Sequence, residues 1–166
     1  NCLLDKKNNS DENQSGSYDF SIGASWLLAQ DIWDIQFTWA SVQGIILDQV
    51  GPDEQKNIIL NDTRWPNLIE YMVFTGLGRN ENGNTFIPDP TQAIKQILPD
   101  IKREFGKTLS SKDLIGHLSQ KLPVLDKGVY RVEVEKKISR GENPAWRKPE
   151  QSQVSTSLSF ALVRLM

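Results

Sequence analysis

The stretch NDTRWPNLIEYMVFTGLGRNENGNTFIPDPT, residues 61–91, decides the fold. Asn61, Asp62 and Thr63 each offer a side-chain oxygen to a helix N-terminus, Pro66 suits a first turn, and Leu68, Ile69, Met72 and Val73 recur at helical spacing. Gly76 and Gly78 then end that helix. After Arg79 comes the run Asn80, Glu81, Asn82, Gly83, Asn84, whose Asn-Gly pair tolerates positive φ, and Thr85, Phe86 and Ile87 make a β-rich return strand. Pro88 and Pro90 close the ladder, while Asp89 or Thr91 caps the helix that follows. Helix, hairpin with its turn at Asn82 and Gly83, and helix again is the order of a winged helix, with residues 77–87 as the wing. A winged helix is a docking device, not a catalytic one.

Upstream, Phe20, Ile22, Trp26 and Leu27 mark a short amphipathic segment over residues 19–30. Ile32, Trp33, Ile35, Phe37 and Trp39 crowd together, and Val42, Ile45 and Ile46 continue at helical spacing to Val50, where Gly51 and Pro52 stop the helix. Residues 53–60 fit a helical turn or a short strand. Residues 5–17 hold no large apolar side chain and are expected to be a flexible tail. Downstream, Ala93, Ile94, Ile97 and Leu98 mark a helix that Pro99 breaks or that runs on through Ile101 to Phe105. Ser110 or Ser111 caps a helix faced by Leu114, Ile115 and Leu118; Leu122, Val124 and Leu125 then pack a turn before the loop of Asp126, Lys127 and Gly128. Residues 129–138 fit a strand through Tyr130, Val132 and Val134 or a helix through Tyr130, Val134 and Ile138. A polar linker with two prolines spans 139–152, and Ser155 or Ser157 starts a last helix that reaches Met166 without a stop signal, so the natural chain is expected to continue.

The expected architecture is mainly α with short β-hairpins (α+β), built as two winged-helix-like helical modules. A tail covers residues 1–17, an acidic module 18–90, and a basic module, a truncated winged-helix-like unit, 91–166.

At 166 residues and 38% hydrophobic content the chain buries a real core. No run approaches eighteen apolar residues, so no membrane span is expected. The single cysteine, Cys2, makes no internal disulfide, which fits a reducing cytoplasm; a cysteine before a polar tail also resembles a lipoprotein start, although Asn1 precedes it here. The net charge of −2 hides an asymmetry. Residues 19–90 carry ten acidic and three basic side chains, whereas residues 91–166 carry fourteen basic and eight acidic ones. A phosphate backbone would therefore meet the second half, with Lys102, Arg103, Lys107, Lys112, Lys121, Lys136 and Lys137 as contact candidates, and the acidic half would face protein partners. Solvated helix faces account for the same lysines equally well.

Catalytic signatures are sparse. His117, the one histidine, has no second histidine and no cysteine cluster with which to share a metal, and no glycine-flanked nucleophile elbow or Gly-Lys-Ser phosphate loop occurs. Gly76, Leu77, Gly78 begins like a dinucleotide fingerprint, but Glu81 stands where the third glycine belongs. No cofactor, metal or catalytic residue is expected. The alternative is a restriction-type nuclease in which Asp126 and Glu135 hold Mg²⁺ and Lys137 supports the attacking water, an arrangement that needs residues 129–135 to be a strand.

Four pieces of the chain resemble the DpdG proteins: Pro88, Asp89, Pro90, Thr91; the run 112–118; LPVLDKGVY at 122–130; and residues 155–165. These proteins are encoded in bacterial gene clusters that insert deazaguanine bases into DNA and restrict unmodified DNA. None of the pieces is a catalytic signature. The resemblance implies a role beside helicase and nuclease partners in defence against phage or foreign DNA, and in that family the last helix leads into further strands, which this chain lacks. The combined expectation is a non-catalytic DNA-binding or adaptor component of a modification and restriction system, with the nuclease or a pure protein-interaction scaffold as alternatives.

Overall fold

A helix whose faces are all apolar or small has to be enclosed, and Tyr18–Ala29 (α1) is such a helix: every residue from Ser21 to Gln30 is buried. The segment expected to be amphipathic is instead the centre of the fold. Ser21, Gly23, Ala24, Ser25 and Ala29 are small enough to let neighbouring helices approach on faces that long polar side chains would have kept wet. The computed structural model describes residues 4, 17–58, 61–81, 85–105, 108–138, 146, 148–150 and 152–166, with 51–58 and 105 described by backbone alone.

Around α1 pack Trp39–Ile58 (α2), Trp65–Phe74 (α3), Val129–Lys137 (α6) and Thr156–Arg164 (α7). A buried amide network fastens α1 to α2. The Trp26 indole donates to Gln49 Oε1 at 2.8 Å, and the Gln49 amide donates to Gln30 Oε1 at 2.8 Å, so neither glutamine buries an unsatisfied amide. Contrary to the stop expected at Gly51 and Pro52, α2 runs through both. A proline removes one donor and crowds one carbonyl, a local cost that a helix of twenty residues absorbs through the bonds on either side. Pro99 does the same within Thr91–Phe105 (α4), where it sits on the solvent side.

The stretch 61–91 folds largely as its pattern predicts. Asn61 Oδ1 accepts the Arg64 N–H at 2.9 Å in the turn that leads into α3. At the other end Leu77 N–H reaches back to Met72 O at 2.8 Å and Gly76 N–H to Val73 O at 3.1 Å, the paired bonds of a Schellman stop. Gly76 takes φ 75°, and a Cβ there would lie 2.8 Å from the Ala93 nitrogen. Gly78–Glu81 (β1) then pairs antiparallel with Thr85–Pro88 (β2), Gly78 opposite Pro88 and Glu81 opposite Thr85. The expected turn residues Asn82 and Gly83 lie outside the described residues.

Ser111–Lys121 (α5) begins with the predicted cap: Ser110 Oγ accepts the Asp113 N–H at 3.1 Å and donates to its carboxylate at 2.6 Å. Of residues 129–138, Val129–Lys137 form helix α6, with Ile138 as its C-cap. Tyr130 and Val134, one turn apart, are buried, whereas Val132, which an alternating strand would have pointed inward with them, is 38% exposed. At α7, Ser155 Oγ accepts the Leu158 N–H at 3.3 Å, and the Ser157 hydroxyl donates to Leu28 O at 2.6 Å, joining the last helix to the end of α1. One hydrophobic cluster contains Trp26 and Ile46 from the first half, Ile94, Val134 and Leu158 from the second, and Leu4. The fold is thus mainly helical with one small antiparallel sheet, and among the described residues no helix is long and apolar enough to cross a membrane.

Candidate functional site

The described contact candidates of the second half stand on three helices. Lys102 and Arg103 occupy the last turn of α4, Lys112 and Lys121 the two ends of α5, and Lys136 and Lys137 the last turn of α6. Lys102, Lys112 and Lys136 are exposed and make no ion pair among the described residues. The others are partly neutralised: Arg103 by Asp100 at 2.5 Å, Lys121 by Glu104 at 3.6 Å, and Lys137 by Glu133 at 3.5 Å. The Lys121–Glu104 contact brings the end of α5 to the end of α4, so Lys102, Arg103 and Lys121 share one region. The α6 lysines stand on a helix that packs chiefly on α1 and α2. Lys107 lies outside the described residues.

Asp126, Glu135 and Lys137 do not form the strand-borne set that a restriction-type site requires, because residues 129–137 are helical. Asp126 is buried and already engaged: Oδ1 accepts the Ser155 N–H at 2.8 Å and Oδ2 the Ser155 hydroxyl at 2.7 Å. Glu135 accepts from Nε of the fully buried Arg131 at 2.9 Å, and an Nη of that arginine stands 3.9 Å from Asp126. Lys137 turns to Glu133. Asp126 thus fastens the turn 122–130 to the start of α7. That turn is tightly wound: Gly128 N–H reaches Leu125 O at 2.8 Å, Tyr130 N–H reaches Pro123 O at 3.2 Å, and a Cβ on Gly128 would overlap the Pro123 carbonyl. Among the described residues no three His, Cys, Asp or Glu side chains gather as metal ligands, and His117 is half-buried on α5.

A second carboxylate, Asp89, does more than the cap read from the sequence. Its Oδ1 accepts the Thr91 N–H at 3.0 Å and the Thr91 hydroxyl, starting α4. Its Oδ2 takes Arg79 Nε at 3.0 Å from the hairpin and Arg164 Nη1 at 2.6 Å from α7. Both guanidiniums also lie over the Phe160 ring, at 5.9 and 5.5 Å, and the exposed Trp33 stands edge-on to that ring at 5.5 Å. Asp89 and Arg164 are 75 positions apart, so no local pattern announces the pair.

On the other side of the hairpin, α3 and the segment leading into α2 enclose an open groove of about 720 Å³. Phe37 and Phe86, each 4% exposed and packed edge to face at 6.4 Å, line it with the tilted pair Trp39 and Trp65. Ile69, Val73 and Phe74 add the α3 side, with Phe74 81% exposed. The sequence shows these aromatics as core; their opening toward solvent depends on how α3 is rotated, which spacing alone leaves undetermined.

No curated protein and no solved structure matches the chain. A family model described as DpdG-like matches residues 1–166, the full length and therefore beyond the four pieces that carry the resemblance, and the chain accordingly belongs to the DpdG-like family.

Proposed function

We propose that this chain is a non-catalytic DNA-binding or adaptor component of a bacterial system that modifies DNA with deazaguanine and restricts unmodified DNA. Family membership supplies the deazaguanine setting. The observation that carries the DNA role is the separation of charge, with Lys102 and Lys112 exposed and unpaired among the described residues on helices of the half that is net basic, and ten acidic residues in the other. In this reading α3 and the hairpin act as a winged-helix-like unit turned toward protein, because a recognition helix bearing Glu70 and no unpaired cation among the described residues repels a phosphate backbone. The work is positional: one face holds DNA and the other holds a partner that acts on it.

Duplex DNA titrated into the full chain at several salt concentrations tests the reading. Each phosphate contact adds about −0.9 to the slope of log affinity against log salt, so the paired variant Lys102→Glu, Lys112→Glu is expected to weaken binding and flatten the slope by up to about two contacts. Absence of salt-dependent binding, or loss of affinity only when charges of the first half are reversed, overturns it.

A further inference from the structure

We propose that the groove beside α3 docks a basic amphipathic helix of a protein partner, an assignment that deepens the adaptor reading and rests on it. Pro66, Ile69, Glu70, Val73 and Phe74 follow one another at the spacing i, i+3, i+4, i+7, i+8 and form a single ridge of α3 along the groove. Met72 points the other way and is fully buried. Thus α3 has two apolar faces, and the described residues cover only one. The uncovered ridge spans about 12 Å at 1.5 Å per residue, which matches roughly two turns of a helix laid alongside it, with anchors at i, i+3 or i+4, and i+7.

Charge selects the occupant. Among the described residues Glu70 is the one charged side chain that lines the groove, and it pairs with no cation. The described arginines of this half are already compensated, Arg64 by Asp19 at 3.4 Å and Arg79 by Asp89 and Glu81 at 3.0 and 2.8 Å. An incoming helix with an acidic rim, or a phosphate backbone, would meet uncompensated carboxylate. A second copy of this chain docked by two-fold symmetry would set the same acidic ridge against itself. A helix with apolar anchors and a lysine- or arginine-bearing rim satisfies both the aromatic wall and Glu70.

The test uses the full chain and two labelled designed helices, one with leucine on one face and lysine on the other, and its twin with glutamate replacing lysine. The lysine helix is expected to bind saturably, more weakly as salt rises, and the glutamate helix not to bind. Phe74→Ser removes an exposed anchor and is expected to lower affinity by about tenfold or more without moving the melting temperature. Glu70→Lys is expected to weaken the lysine helix and admit the glutamate one. Equal binding of the two helices, or unchanged binding by both variants, refutes the assignment; a dimer of the chain that Phe74→Ser dissociates refutes it in favour of self-association. DNA titration of the same variants separates this proposal from the DNA role: both variants are expected to bind duplex as the parent does, whereas Lys102→Glu, Lys112→Glu loses duplex and keeps the lysine helix.

Discussion

Replacing Asp89 tests how the hairpin, α4 and α7 are held together. Its side chain is 2% exposed and meets three residues: Thr91 at the start of α4, through its N–H and its hydroxyl, Arg79 in β1 and Arg164 in α7. Asp89→Ala removes a helix cap, worth about 1 kcal/mol. It also removes two charge-assisted bonds, each worth about 1 kcal/mol once discounted for arginines that remain 31% and 42% exposed. The expected total is about 3 kcal/mol. Asp89→Asn keeps an oxygen for the Thr91 N–H and loses the charge, so its cost falls to roughly 1–2 kcal/mol, because asparagine caps about as well as aspartate. Urea unfolding followed by tryptophan fluorescence reads both, and an unchanged slope against denaturant marks the change as one of stability alone. Combining Asp89→Asn with Arg164→Met in a double-mutant cycle isolates the link to α7, with an expected coupling of about 0.5–1.5 kcal/mol. An Asp89→Ala variant within about 0.5 kcal/mol of the parent refutes the reasoning, since surface substitutions without a structural role do no more than that. Equal losses in the alanine and asparagine variants refute the separation of cap from ion pair.

Gly76→Val is expected to cost more than about 1–2 kcal/mol, the penalty of left-handed backbone for a side chain, because its Cβ would also press on the Ala93 nitrogen; urea unfolding checks it. Gly44→Ala, with no heavy atom within 4 Å of the new Cβ, is expected to stabilise α2 by up to about 1 kcal/mol, measured the same way. Asp126→Ala frees a buried Ser155 N–H and hydroxyl and leaves Arg131 with Glu135 alone, so a loss of about 3 kcal/mol is expected from thermal or urea melts. Plasmid DNA incubated with the chain and Mg²⁺ or Mn²⁺ is expected to remain intact; cleavage that Glu135→Gln abolishes in a folded protein would restore the nuclease reading.

The parts of the fold written in local chemistry were legible. Ser110 and Ser155 cap where a hydroxyl precedes an apolar run, Gly76 stops α3 where positive φ is required, and the alternation Thr85, Phe86, Ile87 returns as a strand. Misreadings arose where tertiary packing outweighs a local preference. Gly51 and Pro52 look like a stop because proline lacks a donor, yet Pro52 lies inside a helix long enough to tolerate one missing bond, and at Pro99, where a break and a continuation both fitted, the helix runs on in the same way. Residues 129–138 satisfied two periods at once; helix was selected by the contacts of Tyr130 and Val134 with the core and by the one-turn pairs Arg131–Glu135 and Glu133–Lys137. The sequence also supplied the cationic side chains of the second half but not their grouping, since Lys121 reaches Glu104 only through the packing of α5 on α4.

Two buried carboxylates tie together segments that resemble the DpdG proteins. Asp89 lies in the first of those segments and Asp126 in the third, and both bind residues of the fourth, Arg164 and Ser155. Each therefore closes a long stretch of chain onto α7: one joins the hairpin and α4 to the end of that helix, the other joins the turn before α6 to its beginning. A side chain committed to such a closure is surrounded by donors fixed in place and has little freedom to bind anything else. The exposed side chains to which the proposals assign binding are different residues, Lys102 on α4, Lys112 on α5 and Glu70 and Phe74 on α3, and of these only Lys112 lies in a resembling segment. Asp89 and Asp126 are thus scaffold, and under the proposed function the choice between holding DNA and holding a protein rests on other side chains, where charge reversal at Lys102 and Glu70 is expected to separate the two roles.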